Sequence, residues 1–256
     1  MATKSFLTTV SGLIQNESLP RIDHSIAILD QVFKLPPLTP ELLRAINLIA
    51  PQFELTMSEK SRVFFEAACN GACWGEYHSL RDFFRSFKNP KKILEIGPGL
   101  GRSIIFFQKK LEWRNCELHL YEGEGTITRY TILGPRFSDS FCGNFRMLNC
   151  ILGYNNMQDI VIHNANKKTL GTLEHRYDLI YSFYAVGLHW ALEHFLDDIL
   201  SLMHNTSVGI FTVPNEFEAS KNLKKLAFKI VDMRTEWPKN GKLKLLLIAK
   251  QRTSFF

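Results

Sequence analysis

Three glycines at alternating positions follow a short apolar run in the segment ILEIGPGLGRSIIFFQKKL, residues 93 to 111. Glu95 precedes them, and the glycines are Gly97, Gly99 and Gly101. A glycine-rich turn at the end of a strand lets the backbone approach a ligand closely, and the helix that follows presents free N–H groups there. The pattern therefore predicts a loop that binds a nucleotide-type cofactor, although three glycines can also form a tight turn without a ligand.

The residues around the glycines exclude two phosphate-binding loops. The dinucleotide fingerprint G-x-G-x-x-G would need a glycine where Arg102 stands. The lysine-containing pattern G-x-x-x-x-G-K-[ST] occurs nowhere in the chain. We therefore expect a cofactor that needs no phosphate cradle.

A second acidic residue stands at the end of the next apolar run. The run ELHLY, residues 117 to 121, is followed by Glu122. A carboxylate at the end of the second strand can accept hydrogen bonds from both ribose hydroxyls of a bound nucleoside. Glu122 is the predicted ribose ligand; Glu124 is its local alternative, and Glu122 could also be an ordinary turn carboxylate.

This combination resembles motif I and the strand-end acid of the Rossmann-like (class I) S-adenosylmethionine-dependent methyltransferases, over about residues 83 to 250. The resemblance implies that Glu95 helps to fix the loop and the methionine end of S-adenosylmethionine, with S-adenosylhomocysteine as the product. It also implies that a residue after the third strand reads the adenine amino group. Asn164 holds that position, where the family commonly has Asp. An Asn carbonyl can still accept a hydrogen bond from an amino group.

The methyl acceptor is expected beyond the carboxyl ends of the strands, where ligands of such sheets lie. His189 is the candidate general base, because a neutral imidazole can take a proton near neutral pH; His78 is a weaker candidate, and His189 could instead only pack or cap a helix. Ser182 and Phe183, at the end of the fourth strand, are predicted to contact the cofactor. The predicted acceptor-binding residues are Trp74, Tyr77, His78, Tyr184 and Trp190.

Several acceptor classes lack their motifs in this chain. The tetrapeptides NPPY and DPPY, which hold a base amino group, are absent, as is the Pro-Cys pair of cytosine C5 enzymes. The fourth strand ends in the uncharged run SFYAVG, so a magnesium site is not evident and we expect a metal-independent enzyme. Asn215 and Glu216 could nevertheless supply oxygen ligands to such an ion. The leading hypothesis is O- or N-methylation of a small organic molecule. The alternatives are a catalytically silent methyltransferase-like binding protein or partner subunit, and a methyltransferase of protein or RNA.

The elements that must position these residues are read from hydrophobic periodicity. Residues 1–85 show helical spacing and are expected to form an N-terminal helical cap over the site; residues 86–256 are expected to form the S-adenosylmethionine-binding domain. The expected class is α/β, with helices predicted from Ser103 and over 191–200 and 215–228. The resemblance adds a Rossmann-like seven-stranded sheet of order 3-2-1-4-5-7-6 with the last strand antiparallel. The predicted strands are 92–96, 117–121, 159–163, 177–183, 207–213, 228–234 and 243–250, the last two forming a hairpin.

Composition sets the remaining limits. The 256 residues are 45% hydrophobic and 22% charged, with a formal charge of +6, which excludes a disordered or collagen-like chain. The basic residues are scattered, so binding of nucleic acid is disfavoured. The five cysteines are expected to be buried and reduced. No apolar run approaches the ~20 residues of a spanning helix, no signal peptide is evident, and a cytoplasmic protein is expected, its oligomeric state open.

Overall fold

The computed structural model describes Pro40 and residues 72–113, 115–124, 143–157, 159–232 and 243–250, with the side chains of 72–75 and 78 left out. Most of the predicted N-terminal cap, residues 1–85, therefore lies outside the described residues. Its described part is α1, Ala72–Ser86, which packs against the first helix of the α/β domain. The cap as a whole stays a prediction.

Helices and strands alternate along the rest of the described chain. The longer helices are α2 (Arg102–Leu111), α3 (Phe145–Tyr154) and α4 (Leu196–Ser201). The strands are β1 (Lys92–Ile96), β2 (Glu117–Glu122), β3 (Ile160–Asn164), β4 (Tyr177–Ser182), β5 (Met203–Pro214), β6 (Ala227–Asp232) and β7 (Leu243–Ala249).

The seven strands form one sheet in the order β3-β2-β1-β4-β5-β7-β6, which confirms the predicted topology. Strands β1 to β5 are parallel to one another, and β7 pairs antiparallel with both β5 and β6. The chain moves outward from β1 to β3 and then returns to place β4 on the other side of β1. This reversal opens a crevice beyond the carboxyl ends of β1 and β4, the place where open α/β sheets bind ligands.

Two hydrophobic clusters cover the two faces of the sheet. One contains Leu80 of α1, Ile104 of α2 and Leu148 of α3, each essentially inaccessible to solvent. The other contains Ile199 of α4 and Tyr177, at the start of β4. Because helices cover both faces, the central strands are almost continuously buried, as expected for a parallel sheet.

Two predicted helices differ from the structure. The segment 215–228 forms only a 3-10 turn at Leu223–Lys225, because its few apolar side chains do not make a continuous stripe and Ser220 bonds to nearby backbone instead. The segment 191–200 is divided into a 3-10 turn, Leu192–His194, and α4. Strand β5 begins four residues earlier than predicted, with an exposed polar start.

The cysteine prediction is also corrected in part. Cys150 is exposed and Cys116 is partly buried; both are free thiols. Burial raises the pKa of Cys116 to about 12, which keeps it protonated and unreactive. In the described part of the chain, no helix has the length and apolarity needed to cross a membrane.

Candidate functional site

The glycine loop connects β1 to α2 at the crevice. Gly97, Gly99 and Gly101 all have positive φ angles, of 69°, 56° and 73°, a conformation in which other residues are strained. The Gly97 N–H donates to the Tyr121 carbonyl at 2.9 Å, which holds the loop against β2. The loop therefore lies where the sequence pattern predicted it, and α2 begins at Arg102, one residue before the predicted start.

Packing explains two of the three glycines without a ligand. A Cβ atom at Gly97 would lie 2.2 Å from the Cβ of Ala185, in the segment after β4. A Cβ atom at Gly101 would lie 2.9 Å from a methyl group of Leu148 on α3. Both distances are shorter than real Cβ contacts. The short side chain of Ala185 cannot move away from its backbone, so packing requires glycine at Gly97. The Leu148 methyl group can shift, so the positive φ is the stronger reason for glycine at Gly101.

Glu122 closes the loop from the end of β2. One of its carboxylate oxygens accepts the Gly99 N–H at 3.0 Å, and the other accepts the Gly123 N–H at 2.9 Å. Burial raises the pKa of Glu122 to about 7, although these two backbone N–H groups act in the opposite direction. A carboxylate has about four acceptor sites, so two remain for further donors such as ribose hydroxyls.

Glu95 lies beneath the loop and ties three elements together. It accepts hydrogen bonds from the Ser103 hydroxyl, in the first turn of α2, and from the Tyr181 hydroxyl of β4 at 3.0 Å. Burial raises its pKa to about 7. Because both hydrogen bonds join Glu95 to elements that flank the loop, its geometry suits a residue that fixes the loop.

Asn164 and Glu124 form a small polar cluster beside Glu122. Asn164 is paired in register with Glu122 across β2 and β3. Its carbonyl accepts the Asn166 backbone N–H at 2.8 Å, and its amide donates to Glu124 at 3.1 Å. Glu124 is exposed and engaged in this cluster, whereas Glu122 touches the glycine loop. The geometry therefore favours Glu122 over Glu124 as the ribose ligand, and the adenine role of Asn164 stays a prediction.

Two residues predicted to contact the cofactor, Ser182 and Phe183, use their side chains in contacts within the fold. The Ser182 hydroxyl accepts the Val186 N–H at 2.9 Å and is completely buried. The Phe183 ring is buried and packs against Phe107 and Tyr181. Their side chains thus build the turn and the core, and sequence reasoning, which placed them only by their position after a strand, could not see this.

The segment after β4 carries the proposed general base, His189, and the proposed acceptor residues Tyr184 and Trp190. Gly187, with φ of 100°, lies so close to β5 that a Cβ there would be 2.5 Å from the Thr212 carbonyl oxygen. The N–H groups of His189 and Trp190 both donate to the Ala185 carbonyl. His189 is half-buried and the Trp190 side chain is 44% exposed. This turn is therefore held rigidly by backbone contacts and presents an indole to solvent.

Tyr77, a described residue of the predicted cap, packs against neighbouring aromatic rings. The half-buried Tyr77 ring lies over Phe84 with 6.3 Å between centroids and contacts the edge of Phe106 at 5.8 Å. It is part of the packing between α1 and α2, and its predicted contact with the acceptor stays a prediction. The side chains of Trp74 and His78 lie outside the described residues, so their roles stay predictions.

The sequence analysis missed Glu76. This residue of α1 has 0% exposure, and neither of its carboxylate oxygens has a hydrogen-bond partner. Burial raises its pKa to about 8, while the nearby charge of Arg102 and the nearby side chain of Tyr184 lower it. The available signal was its spacing: Glu76, Leu80 and Phe84 follow at intervals of four, so an acid stands on the apolar stripe of the helix.

Within the described ranges, no group of three or more His, Cys, Asp or Glu side chains is arranged to hold a metal ion. The metal-independence expected from the sequence is not tested by this observation and stays a prediction.

Comparisons with known proteins found similar solved structures but no similar sequence. No family model and no curated protein sequence matches the chain. A structure of the plantazolicin methyltransferase BpumL in complex with SAH is 12% identical, with 90% of this chain and 99% of that chain covered and a TM-score of 0.50. The O-methyltransferase TomG from Streptomyces achromogenes, in complex with SAM, is 13% identical, with 90% and 96% covered and a TM-score of 0.49. TrmN from Thermus thermophilus is 14% identical, with 75% and 53% covered and a TM-score of 0.47. With the strand order and the glycine loop described above, the chain has the fold of the Rossmann-like, class I S-adenosylmethionine-dependent methyltransferases.

Proposed function

We propose that the protein is an S-adenosylmethionine-dependent methyltransferase that acts on an oxygen or nitrogen atom of a small organic molecule. The observation that carries this proposal is the contact between Glu122 and Gly99. A strand-end carboxylate that accepts a glycine-loop N–H, with acceptor capacity to spare, is suited to a ribose lying over that loop. The BpumL structure with the same fold is a complex with SAH.

The residues around the loop fit a nucleoside with an amino-acid tail. Glu122 would hold the ribose hydroxyls and Asn164, one strand further out, would face the adenine. The loop offers backbone groups in place of a phosphate cradle, and neither a dinucleotide fingerprint nor a Walker lysine is present in the sequence. The sulfonium of S-adenosylmethionine supplies an activated methyl group once the cofactor is bound.

In methyl transfer, the protein has mainly to position the acceptor and to remove its proton. The acceptor atom attacks the methyl carbon while the carbon–sulfur bond breaks, and the electron pair of that bond stays on sulfur. An acceptor hydroxyl loses its proton in the same step, and we assign His189 to receive it. Trp190 would form one wall of the acceptor site, and the backbone-held turn would keep both side chains in place.

The acceptor class is proposed from the sequence and from the shape of this turn. An exposed indole beside a half-buried imidazole suits a small organic acceptor better than a polyanion. The basic residues show no dense stripe that would follow a phosphate backbone. Methylation of RNA or protein, and binding without transfer, are the alternative outcomes of the test.

The test is transfer of a labelled methyl group. The full-length protein is incubated with methyl-labelled S-adenosylmethionine and a fractionated cell extract. Label in the low-molecular-weight fraction supports the proposal. Label in protein or RNA would assign a macromolecular acceptor, and tight cofactor binding without any transfer would assign a silent binding protein.

A further inference from the structure

Glu76 is a buried acid that the fold leaves without a hydrogen bond. It lies in the second turn of α1, is inaccessible to solvent and has no partner for either carboxylate oxygen. Buried acids that only stabilise a fold are normally paired or hydrogen-bonded, because removing them from water is costly. A buried acid without a hydrogen bond, in a helix that otherwise packs against the core, is therefore a candidate ligand-binding group.

Glu76 lies close to residues that flank the glycine loop. Its charge interacts with that of Arg102, the first residue of α2 and the residue directly after Gly101. The Arg102 guanidinium carbon lies 5.8 Å from the centre of the Tyr184 ring, just after β4. Glu76 is thus at the β1–β4 side of the loop, whereas Glu122 and Asn164 are at the β2–β3 side.

The chemistry of the cofactor matches this division. In S-adenosylmethionine the adenine and the amino-acid chain are attached at opposite ends of the ribose. If adenine lies toward β3 and ribose at β2, the amino-acid end is directed toward β1 and β4. That end carries an ammonium and a carboxylate, and the protein places an acid and a guanidinium there.

We propose that Glu76 accepts the α-ammonium group of the cofactor's methionine moiety, with Arg102 beside it facing the α-carboxylate. This inference rests on the proposed function. A cation beside Glu76 offsets the burial that raises its pKa to about 8 in the free protein, so the acid becomes ionised when the ammonium group binds. The unpaired acid is then a binding group kept at some cost in stability.

Two nucleosides separate this role from a general effect on the pocket. S-adenosylhomocysteine carries the amino-acid end, and 5′-methylthioadenosine lacks it but keeps the adenine, ribose and sulfur. Glu76→Gln should weaken binding of S-adenosylhomocysteine at least tenfold and change binding of 5′-methylthioadenosine less than twofold. Because the substitution replaces an unpaired buried acid by a neutral amide of the same size, the thermal midpoint of the free variant should be equal to that of the wild type or higher.

Asp82→Asn is the matched control, because Asp82 is an exposed acid on the same helix. It should bind both nucleosides like the wild type. Equal weakening of both nucleosides in Glu76→Gln, or no weakening of either, would overturn the inference. A loss for S-adenosylmethionine but not for S-adenosylhomocysteine would also overturn it, since the acid would then face the sulfonium.

A measurement on the wild type covers the case in which Glu76→Gln does not fold. The wild type should bind S-adenosylhomocysteine at least tenfold more tightly than its analogue without the amino group. Equal affinities would overturn the inference while leaving the proposed function intact. A wild type that binds neither S-adenosylhomocysteine nor 5′-methylthioadenosine would refute the proposed function itself.

Discussion

Replacing Glu122 by Gln exchanges one carboxylate oxygen for an NH₂ group. We expect it to weaken binding of S-adenosylhomocysteine while leaving the stability of the fold nearly unchanged. The carboxylate is 6% exposed and accepts two backbone N–H groups, from Gly99 and Gly123. The amide of Gln keeps one acceptor oxygen in nearly the same place. Its NH₂ group replaces the other oxygen and can neither accept an N–H nor accept a ribose hydroxyl.

Two opposing effects decide the stability of Glu122→Gln. Burial raises the pKa of Glu122 from 4.5 to about 7, so at pH 8 the ionised acid is disfavoured by roughly 3 kcal/mol, and the neutral amide avoids this. Losing one hydrogen bond to a charged acceptor costs about 1.5 to 3 kcal/mol. These effects largely cancel, so the free energy of unfolding at pH 8 should change by no more than about 1.5 kcal/mol.

Binding should respond much more than stability. One of the two expected ribose hydrogen bonds is lost, a cost of about 1.5 to 3 kcal/mol, which corresponds to roughly 10- to 150-fold weaker binding of S-adenosylhomocysteine. Titration calorimetry at pH 8 and urea unfolding measure the two quantities. Glu124→Gln, which changes an exposed acid two residues away, should bind within about threefold of the wild type.

Unchanged affinity in Glu122→Gln would refute the ribose assignment. Equal losses in Glu122→Gln and Glu124→Gln would place the ribose in the Asn164 cluster instead. Loss of both binding and folding in Glu122→Gln would mean that the acid only supports the loop.

Four further predictions test the site and its supports. Gly97→Ala should destabilise the protein by about 1 to 3 kcal/mol in urea unfolding, because its Cβ would strike Ala185 and its φ is positive; Gly153→Ala, in an open helical position, should be neutral or stabilising by up to about 1 kcal/mol, and equal effects would contradict the packing argument. Gly99→Asp should abolish S-adenosylhomocysteine binding in calorimetry, since it adds a side chain and a negative charge beside Glu122; retained affinity would argue against a cofactor at this loop. His189→Ala should lower turnover by ~10²- to 10⁴-fold with cofactor affinity nearly unchanged; turnover within a few-fold of the wild type would leave His189 a structural role. Burial and neighbouring histidines lower the pKa of His119, in β2, to about 4, so the contribution of this residue to stability should fall by up to about 3 kcal/mol as the pH drops from about 6.5 to 4. Because the raised pKa values of the buried acids act in the opposite direction, the quantity to measure is the thermal midpoint of His119→Gln minus that of the wild type, which should rise over this range; parallel curves would contradict the assignment.

Local patterns were sufficient for the individual strands and for the loop. Alternating glycines after an apolar strand predict a strand, turn and helix from neighbouring residues alone, and β1 and α2 agree with that prediction to within a residue. The strand order came from the resemblance to a known fold. The predicted helix over 215–228 failed because its spacing had to be judged without knowing which side chains the sheet would cover.

Long-range contacts decide what the sequence could not reveal. The need for glycine at Gly97 comes from Ala185, which the fold brings against it from beyond β4. Ser182 and Phe183 end a strand at the crevice, yet a turn N–H and the rings of the core occupy their side chains. In the sequence, Glu76 has the features of an ordinary helical acid. Only the structure shows that it is buried and that its carboxylate has no hydrogen-bond partner.

The central claim is that the glycine loop holds S-adenosylmethionine, and calorimetric titration of the full-length wild type tests it most directly. S-adenosylhomocysteine should bind with a dissociation constant in roughly the micromolar range typical of metabolite sites, at one molecule per chain, while NAD gives no heat of binding under the same conditions. A flat titration with S-adenosylhomocysteine, or binding of NAD with equal affinity, would contradict the account.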